Sequence, residues 1–359
     1  MLRALELARK GKTAPNPMVG AVLVKKDKII AEGFHPYAGG PHAEIAALKK
    51  AGNKAKGADL YVNLEPCCHT GRTPPCTDAI IQSGVRRVFA GMKDPNKLVQ
   101  GKGVRALKAA GIQVSVGLMG KDCRKLNEVF VKVMNTGMPF VTVKTAMSLD
   151  GKIATRKGDS KWISGVKSRN FVHELRNQND AVLVGTDTIL KDNPQLTCRL
   201  KRKRVSHPAR IVLDRENKIP LKAKVFANSK AQRVIYVSGP GLSAKREKIL
   251  AEKKIEVIHG KTGKSGFDLK HLMELLLQKD LTSILMEGGS EINSSAFSSG
   301  IVDRVYAFIC PVLIGGRSAP GPIGGLGVDK IAKALRLKNM KVVQLGEDLM
   351  VEAEPCSVE

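Results

Sequence analysis

Aromatic residues make up only 4% of this sequence, and Trp162 is its one tryptophan. A surface that stacks unpaired bases needs several such rings, so binding of single-stranded nucleic acid is disfavoured. No run of about 18 apolar residues occurs, and no membrane span is expected. The opening stretch Met1-Leu2-Arg3-Ala4-Leu5-Glu6-Leu7-Ala8 mixes charged and apolar residues at helical spacing. It lacks the continuous apolar core of a secretion signal, which points to the cytoplasm. Acidic residues are few beside basic ones, 33 against 60, and the formal net charge is +27. Such a field attracts phosphate, whether on a metabolite or on nucleic acid. The basic residues are dispersed, however, and only Lys201-Arg202-Lys203-Arg204 forms a dense run. Seven cysteines, an odd count in a long chain, argue against a disulfide framework.

What is present is enough apolar sequence, 43% of 359 residues, for two or three folded units. The pattern predicts a helix over 2–10 and strands over 19–24 and 28–33. A helix over 42–51 follows, with Ile45, Ala46, Leu48 and Ala51 on its inner side, then a strand over 60–64. After a polar loop and a helix to 82 come strands over 87–91 and 113–116 around a helix over 102–110, then a single helix over 122–134. Thr136-Gly137-Met138-Pro139 is the best boundary. A second alternation follows, with strands over 141–146, 181–185, 210–214, 234–237, 256–259, 283–287 and 305–309. Two different α/β domains are expected, the first a three-layer α/β/α sheet.

The sharpest chemical signal is His42-Ala43-Glu44, followed by Pro66-Cys67 and, nine residues further, Cys76. Zinc-dependent deaminases hold their metal with a histidine and two cysteines and leave a fourth position for water, while a non-ligand glutamate moves protons. The short Pro-Cys-x-x-Cys spacing fails here, because Thr70 stands three residues after Cys67. The second thiolate therefore comes after an inserted loop, at Cys76, with the neighbouring Cys68 and His69 as rival ligands. Cys123, Cys198, Cys310 and Cys356 have no companion pattern and read as structural thiols.

The runs Asn16-Pro17-Met18-Val19-Gly20, Pro41-His42-Ala43-Glu44 and Glu65-Pro66-Cys67-Cys68-His69-Thr70-Gly71-Arg72-Thr73-Pro74-Pro75-Cys76 resemble the bifunctional riboflavin-biosynthesis deaminase/reductase family. The resemblance runs along essentially the whole chain; Cys68 departs from it, standing where a serine is common. It implies a cytidine-deaminase-like domain followed by a dihydrofolate-reductase-like domain. It also implies zinc on His42, Cys67 and Cys76, with Glu44 as proton shuttle and Asn16, His69 and Arg72 as substrate contacts. The substrate would be 2,5-diamino-6-(5-phosphoribosylamino)pyrimidin-4-one.

The second half speaks less clearly on its own. Ser283-Ile284-Leu285-Met286-Glu287-Gly288-Gly289-Ser290-Glu291 reads as a strand, a glycine pair and a helix start, which suits a pyrophosphate. It is not Gly-x-Gly-x-x-Gly, so a Rossmann domain is not indicated. Ala146-Met147-Ser148-Leu149-Asp150-Gly151-Lys152, the stretch from Gly185 to Arg199 and Pro311-Val312-Leu313-Ile314-Gly315-Gly316 resemble the reductase domain of the same family. That resemblance implies NADPH contacts at Ala146, Trp162, Thr188, Asp192, Gly289, Ser290, Glu291, Ile292, Asn293, Ser294 and Ser295. It implies substrate contacts at Ser160, Arg176, Leu196, Arg199 and Glu287. Arg176 and Arg199 would face a phosphate, Arg215 is a candidate for the coenzyme 2′-phosphate, and Lys144 and Asp192 would orient the sugar and supply a proton.

These readings converge on a zinc-dependent deaminase over 1–137 and an NADPH-dependent reductase over 138–359. The partners expected are phosphorylated pyrimidines, with a homo-oligomer implied by the resemblance and neither nucleic acid nor membrane. The rivals are a member with one inactive half, a basic RNA-directed zinc deaminase and a purely structural zinc protein.

Overall fold

A computed structural model describes residues 1–69, 74–97, 99–202, 205–263 and 266–356. Its contacts divide the chain into Met1–Met138 and Pro139–Glu359. Among the described residues, no helix is long and apolar enough to cross a membrane.

The first unit runs α1 (Leu2–Ala8), β1 (Gly20–Lys25), β2 (Lys28–Phe34), α2 (Ala43–Ala51), β3 (Asp59–Val62), α3 (Cys76–Gln82), β4 (Arg87–Ala90), α4 (Lys102–Ala109), β5 (Gln113–Val116), α5 (Gly120–Leu126) and α6 (Glu128–Thr136). Its sheet has the order β2-β1-β3-β4-β5, antiparallel around β1 and parallel from β3 to β5. Alternate residues of β1 serve the two faces. Ala21 and Leu23 join the core under α2 and α3, while Val22 packs with Ala4 and Leu7 of α1.

Two local differences from the sequence pattern have plain causes. In α2 the fully buried residues are Ala43, Glu44, Ala47 and Ala51; of the expected inner side Ala51 is buried as read, while Ile45 and Leu48 pack half-buried at the edge of the same core. The helix lies so close to β2 that a β-carbon on Gly33 would meet Ala43 O at 2.2 Å, and only the alanine side fits there. The single helix expected over 122–134 is broken at Asn127. Its buried amide accepts from Met18 N–H at 2.8 Å and donates to Met18 O at 3.0 Å, which draws the backbone to φ −105°.

The second unit contains β6 (Phe140–Ser148), α7 (Val166–Gln178), β7 (Ala181–Gly185), α8 (Thr186–Asp192), β8 (Ala209–Asp214), β9 (Val234–Ser238), α9 (Ala244–Glu252), β10 (Glu256–His259), β11 (Thr262–Gly263), β12 (Gly266–Phe267), α10 (Leu269–Leu277), β13 (Ser283–Met286), α11 (Ser290–Ser298), β14 (Arg304–Cys310), β15 (Leu337–Leu345) and β16 (Asp348–Pro355). Nine strands form one sheet in the order β10-β9-β8-β7-β13-β6-β14-β16-β15. It is parallel from β10 to β14, and its last two strands run antiparallel to their neighbours. The unbroken apolar runs of β7, β8, β9 and β13 suit strands covered on both faces. β15 and β16 were not anticipated, because β15 is exposed along nearly its whole length and shows no alternation to read.

Candidate active sites

In the first unit three chain segments meet at one point. His42 is the N-cap of α2, Cys76 opens α3, and Cys67 sits on the loop between β3 and α3. Their ligand atoms all lie within 4.8 Å of one another. His42 Nδ1 is 3.1 Å from Cys76 Sγ and 3.5 Å from Cys67 Sγ, and the Cys76 N–H points at Cys67 Sγ at 3.4 Å. Cys68 and His69 stand outside this group, and His69 is exposed on the loop. Arg72 lies outside the described residues.

The electrostatics of the cluster suit a soft cation. Hydrogen bonds from Cys76 and His42 outweigh burial and hold the Cys67 thiol down at about 4, so it is a thiolate at neutral pH. The hydrogen bond to Cys67 and burial push Cys76 the other way, and the bond to Cys67 raises His42. One imidazole and two cysteines are a donor set that zinc accepts with a coordination position left over. Glu44, the second residue of α2 and 4% exposed, is raised by burial to about 7. A carboxyl with that pKa can both give and take a proton near neutrality.

Asn16 is drawn in by a residue that the sequence reading missed. Its Nδ2 is 3.2 Å from His35 Nε2, and His35 Nδ1 is 3.0 Å from Pro41 O. Since Pro41 O can only accept, Nδ1 carries the hydrogen and Nε2 accepts from the amide. The His35 ring stands edge-on to His42 at 5.4 Å. A lone histidine after a strand gives no motif, although its closeness to Pro41-His42 was a usable hint. Behind Cys67, the buried Glu65 carboxylate accepts from the N–H groups of Asp94 (3.1 Å), Gly101 (2.9 Å) and Val104 (3.0 Å). Burial raises Asp94 beside it to about 6.

The second unit has a cavity of about 480 Å³ at the ends of β7 and β8 and the starts of α8 and α11, a size that suits a nucleotide ligand. Ser160, Thr188, Asp192, Arg215, Gly289, Ser290, Glu291, Ile292 and Ser295 line it. Ser160 Oγ donates to Asp192 Oδ1 at 3.1 Å, so these two act as one group. The 318–325 segment crosses this region. Pro320 O accepts from Ile153 N–H at 2.9 Å, and Gly324 N–H donates to Ser290 O at 3.0 Å.

Several expected contacts are placed elsewhere. Asn293 is buried and donates to Pro322 O at 3.0 Å, and Ser294 also lies off the cavity wall. Ala146 packs against the cluster of Val172, Phe308 and Met350, and Trp162 is 70% exposed with Arg169 stacked on it at 4.8 Å. Leu196 is 2% exposed in the core with Ile189 and Val212, so only its main chain is available to a substrate. Arg176 spends donors of its planar fork inside the protein rather than on a phosphate. Its Nε and Nη2 grip Glu287 at 2.5 and 2.8 Å, and Nη1 donates to Thr197 O at 3.1 Å. Arg199 is the exposed member of the pair. Burial lowers Lys144, which feels Glu287, Arg176 and Asp192 nearby. His173 is held down at about 4 by burial and by Arg176 and Arg199, and its Nδ1 accepts from Arg199 N–H at 3.4 Å.

Comparison with known proteins agrees with this division of labour. Residues 139–351 match the family described as the RibD C-terminal domain, and residues 1–92 match the cytidine and deoxycytidylate deaminase zinc-binding region. The chain belongs to the RibD family. The riboflavin biosynthesis protein RibD of Aquifex aeolicus is 45% identical over 98% of this chain and 96% of its own length. That of Escherichia coli is 38% identical over 97% and 96%. The Acinetobacter baumannii RibD structure (form 1) superposes with a TM-score of 0.89 at 39% identity, covering 99% of this chain and 98% of that one. A Thermotoga maritima structure, described as a diaminohydroxyphosphoribosylaminopyrimidine deaminase/5-amino-6-(5-phosphoribosylamino)uracil reductase, has a TM-score of 0.87 at 40% identity and covers 99% and 97%. The chain is thus a two-activity enzyme of riboflavin biosynthesis, a cytidine-deaminase-like domain joined to a reductase domain, with zinc and NADPH as cofactors.

Proposed function

We propose that residues 1–137 deaminate 2,5-diamino-6-(5-phosphoribosylamino)pyrimidin-4-one and that residues 138–359 then reduce its ribosylamino group to ribitylamino. The observation that carries the first step is the convergence of His42, Cys67 and Cys76 within 4.8 Å, with Glu44 buried on the same helix. Zinc held there supplies a water of lowered pKa. Glu44 holds a proton at its carboxyl near neutrality, ready to pass it to the departing amine. Asn16, fixed by His35, presents the rest of its amide to the ring, while the exposed His69 and, by sequence, Arg72 would meet ribose and phosphate.

In the second step NADPH supplies hydride. Thr188 and Arg215, with Gly289, Ser290, Glu291, Ile292 and Ser295 at the start of α11, bind it. Arg199 takes the substrate phosphate, and Arg176 acts by holding Glu287 toward the sugar. Lys144 and Asp192 orient the sugar and return a proton. We also assign a cytoplasmic location, supported by seven unpaired thiols. A homo-oligomer is supported by the exposed outer strand β15, and nothing in the site calls for nucleic acid.

Ammonia release and NADPH oxidation, assayed separately on one preparation, test the pair. Both are expected, and a silent half overturns the two-step reading. In Cys76→Ser, zinc content and ammonia release should fall together while NADPH-dependent reduction of a supplied deaminated intermediate persists. Zinc retained in full would move the ligand to Cys68 or His69.

A further inference from the structure

One fully buried carboxylate of the second unit is used by no step above. Asp214 ends β8 at 0% exposure. Its Oδ1 accepts from Lys218 N–H at 3.1 Å and lies 3.2 Å from Thr186 Oγ1. Its Oδ2 accepts from Ile219 N–H and from the Tyr236 hydroxyl, both at 2.7 Å. Arg246 stands 3.8 Å from Oδ2 and lies over the Tyr236 ring. Burying a charge this deeply is costly unless its bonds are all made, and here they join two segments that line the cavity. Thr186 begins α8, while the 215–219 turn contributes Arg215 and Lys218 to the cavity lining.

The turn is a built object. Gly239 N–H donates to Asp214 O at 3.1 Å, and a β-carbon at Gly239 would meet Arg215 O at 2.0 Å, so the turn rests directly on the end of β9. Asn217 adopts the left-handed region at φ 54° and ties its amide to Pro240 O at 3.0 Å. Arg215 spends one donor on Gly263 O at 3.1 Å, and Lys218 neutralises Glu216 at 2.8 Å. That pairing keeps the Glu216 carboxylate from repelling an anion.

We propose that Asp214 is a positioning residue for coenzyme choice. It holds the 215–219 turn so that Arg215 and Lys218 meet the extra phosphate that distinguishes NADPH from NADH. The inference rests on the coenzyme occupying this cavity. Cations tell a phosphate from a hydroxyl well only when their place is set beforehand. The two carboxylate oxygens set it, since each receives one backbone N–H that cannot rotate away. An asparagine has only one accepting oxygen. Whichever way its amide is turned, its NH2 faces either Lys218 N–H or Ile219 N–H, and the turn must open.

The experiment is titration of the full-length protein with NADPH and with NADH, read by coenzyme fluorescence. Asp214→Asn should weaken NADPH about tenfold, as for one lost charge-assisted contact, and change NADH much less. The NADPH/NADH preference therefore falls. Tyr236→Phe removes one hydroxyl and leaves both N–H bonds, so it should keep the preference. Gly239→Ala displaces the turn without touching the carboxylate, and it should lower the preference even if Asp214→Asn does not fold. A folded Asp214→Asn or Gly239→Ala protein with the wild-type preference overturns the inference alone. Wild-type protein that binds neither nucleotide overturns the cavity assignment and this inference with it.

Discussion

At the residue scale, Glu44 and His173 show how burial sets proton chemistry in opposite directions. Burial keeps Glu44 protonated up to about 7, where it can serve as a proton carrier. Glu44→Gln should keep its zinc and its NADPH oxidation while ammonia release drops by about 10²–10⁴-fold, the usual worth of a positioned acid–base group. Burial instead holds His173 neutral down to about 4. The unfolded chain takes up that proton near 6.5, so between roughly pH 6.5 and 4 the unfolded state binds more protons than the folded one. Stability should therefore fall as pH drops through this window. The urea midpoint at pH 5 should lie below that at pH 7, and His173→Gln should flatten the difference. Of the first site, His42, Glu44, Cys67 and Cys76 were legible because metal chemistry demands fixed residue types. His35 and Glu65 were not, because each acts through contacts that exist only after folding.

At the element scale, most helices and strands could be read from periodicity, and the misreadings have local causes. Asn127 interrupts a good helical pattern because its amide is worth more to the Met18 backbone than to solvent. Asn127→Leu leaves the part-buried Met18 N–H without its partner, while Met18 O keeps the bond from Asn63 Nδ2 at 2.9 Å. It should destabilise the first unit by about 1–3 kcal/mol for that one unsatisfied group, seen as a lower melting temperature. An unchanged melting temperature would show that the break at 127 does not depend on that amide. Ala51 of the inner face of α2 could be read, but Ile45 and Leu48 lie only at the core's edge, because close approach at Gly33 selects alanine for the centre. β15 escaped notice because Leu337, Met340, Val342 and Val343 share an exposed strand with lysines, so neither period prevails. In the second unit the cavity could be placed from its glycine pair. The pairing of Arg176 with Glu287 could not, since 111 residues separate them.

At the scale of the whole molecule, that same strand is the last of nine and presents Met340 (66% exposed), Val342 (56%) and Val343 (44%) beside an unpaired edge. Edges of this kind invite pairing with another chain. Sedimentation should show an assembly larger than one chain, and Val342→Lys should shift it toward monomer with ammonia release intact. A wild-type monomer at micromolar concentration would refute this. The strand order has a further effect, on the making of the protein. β13 lies between β6 and β7, yet it is the last of the three to be synthesised. When β7 leaves the ribosome, the place beside it is still vacant, and the missing piece arrives on the order of ten seconds later at ordinary translation rates. Until then two sticky edges wait for a strand not yet made, so this half should lean on chaperones during its synthesis.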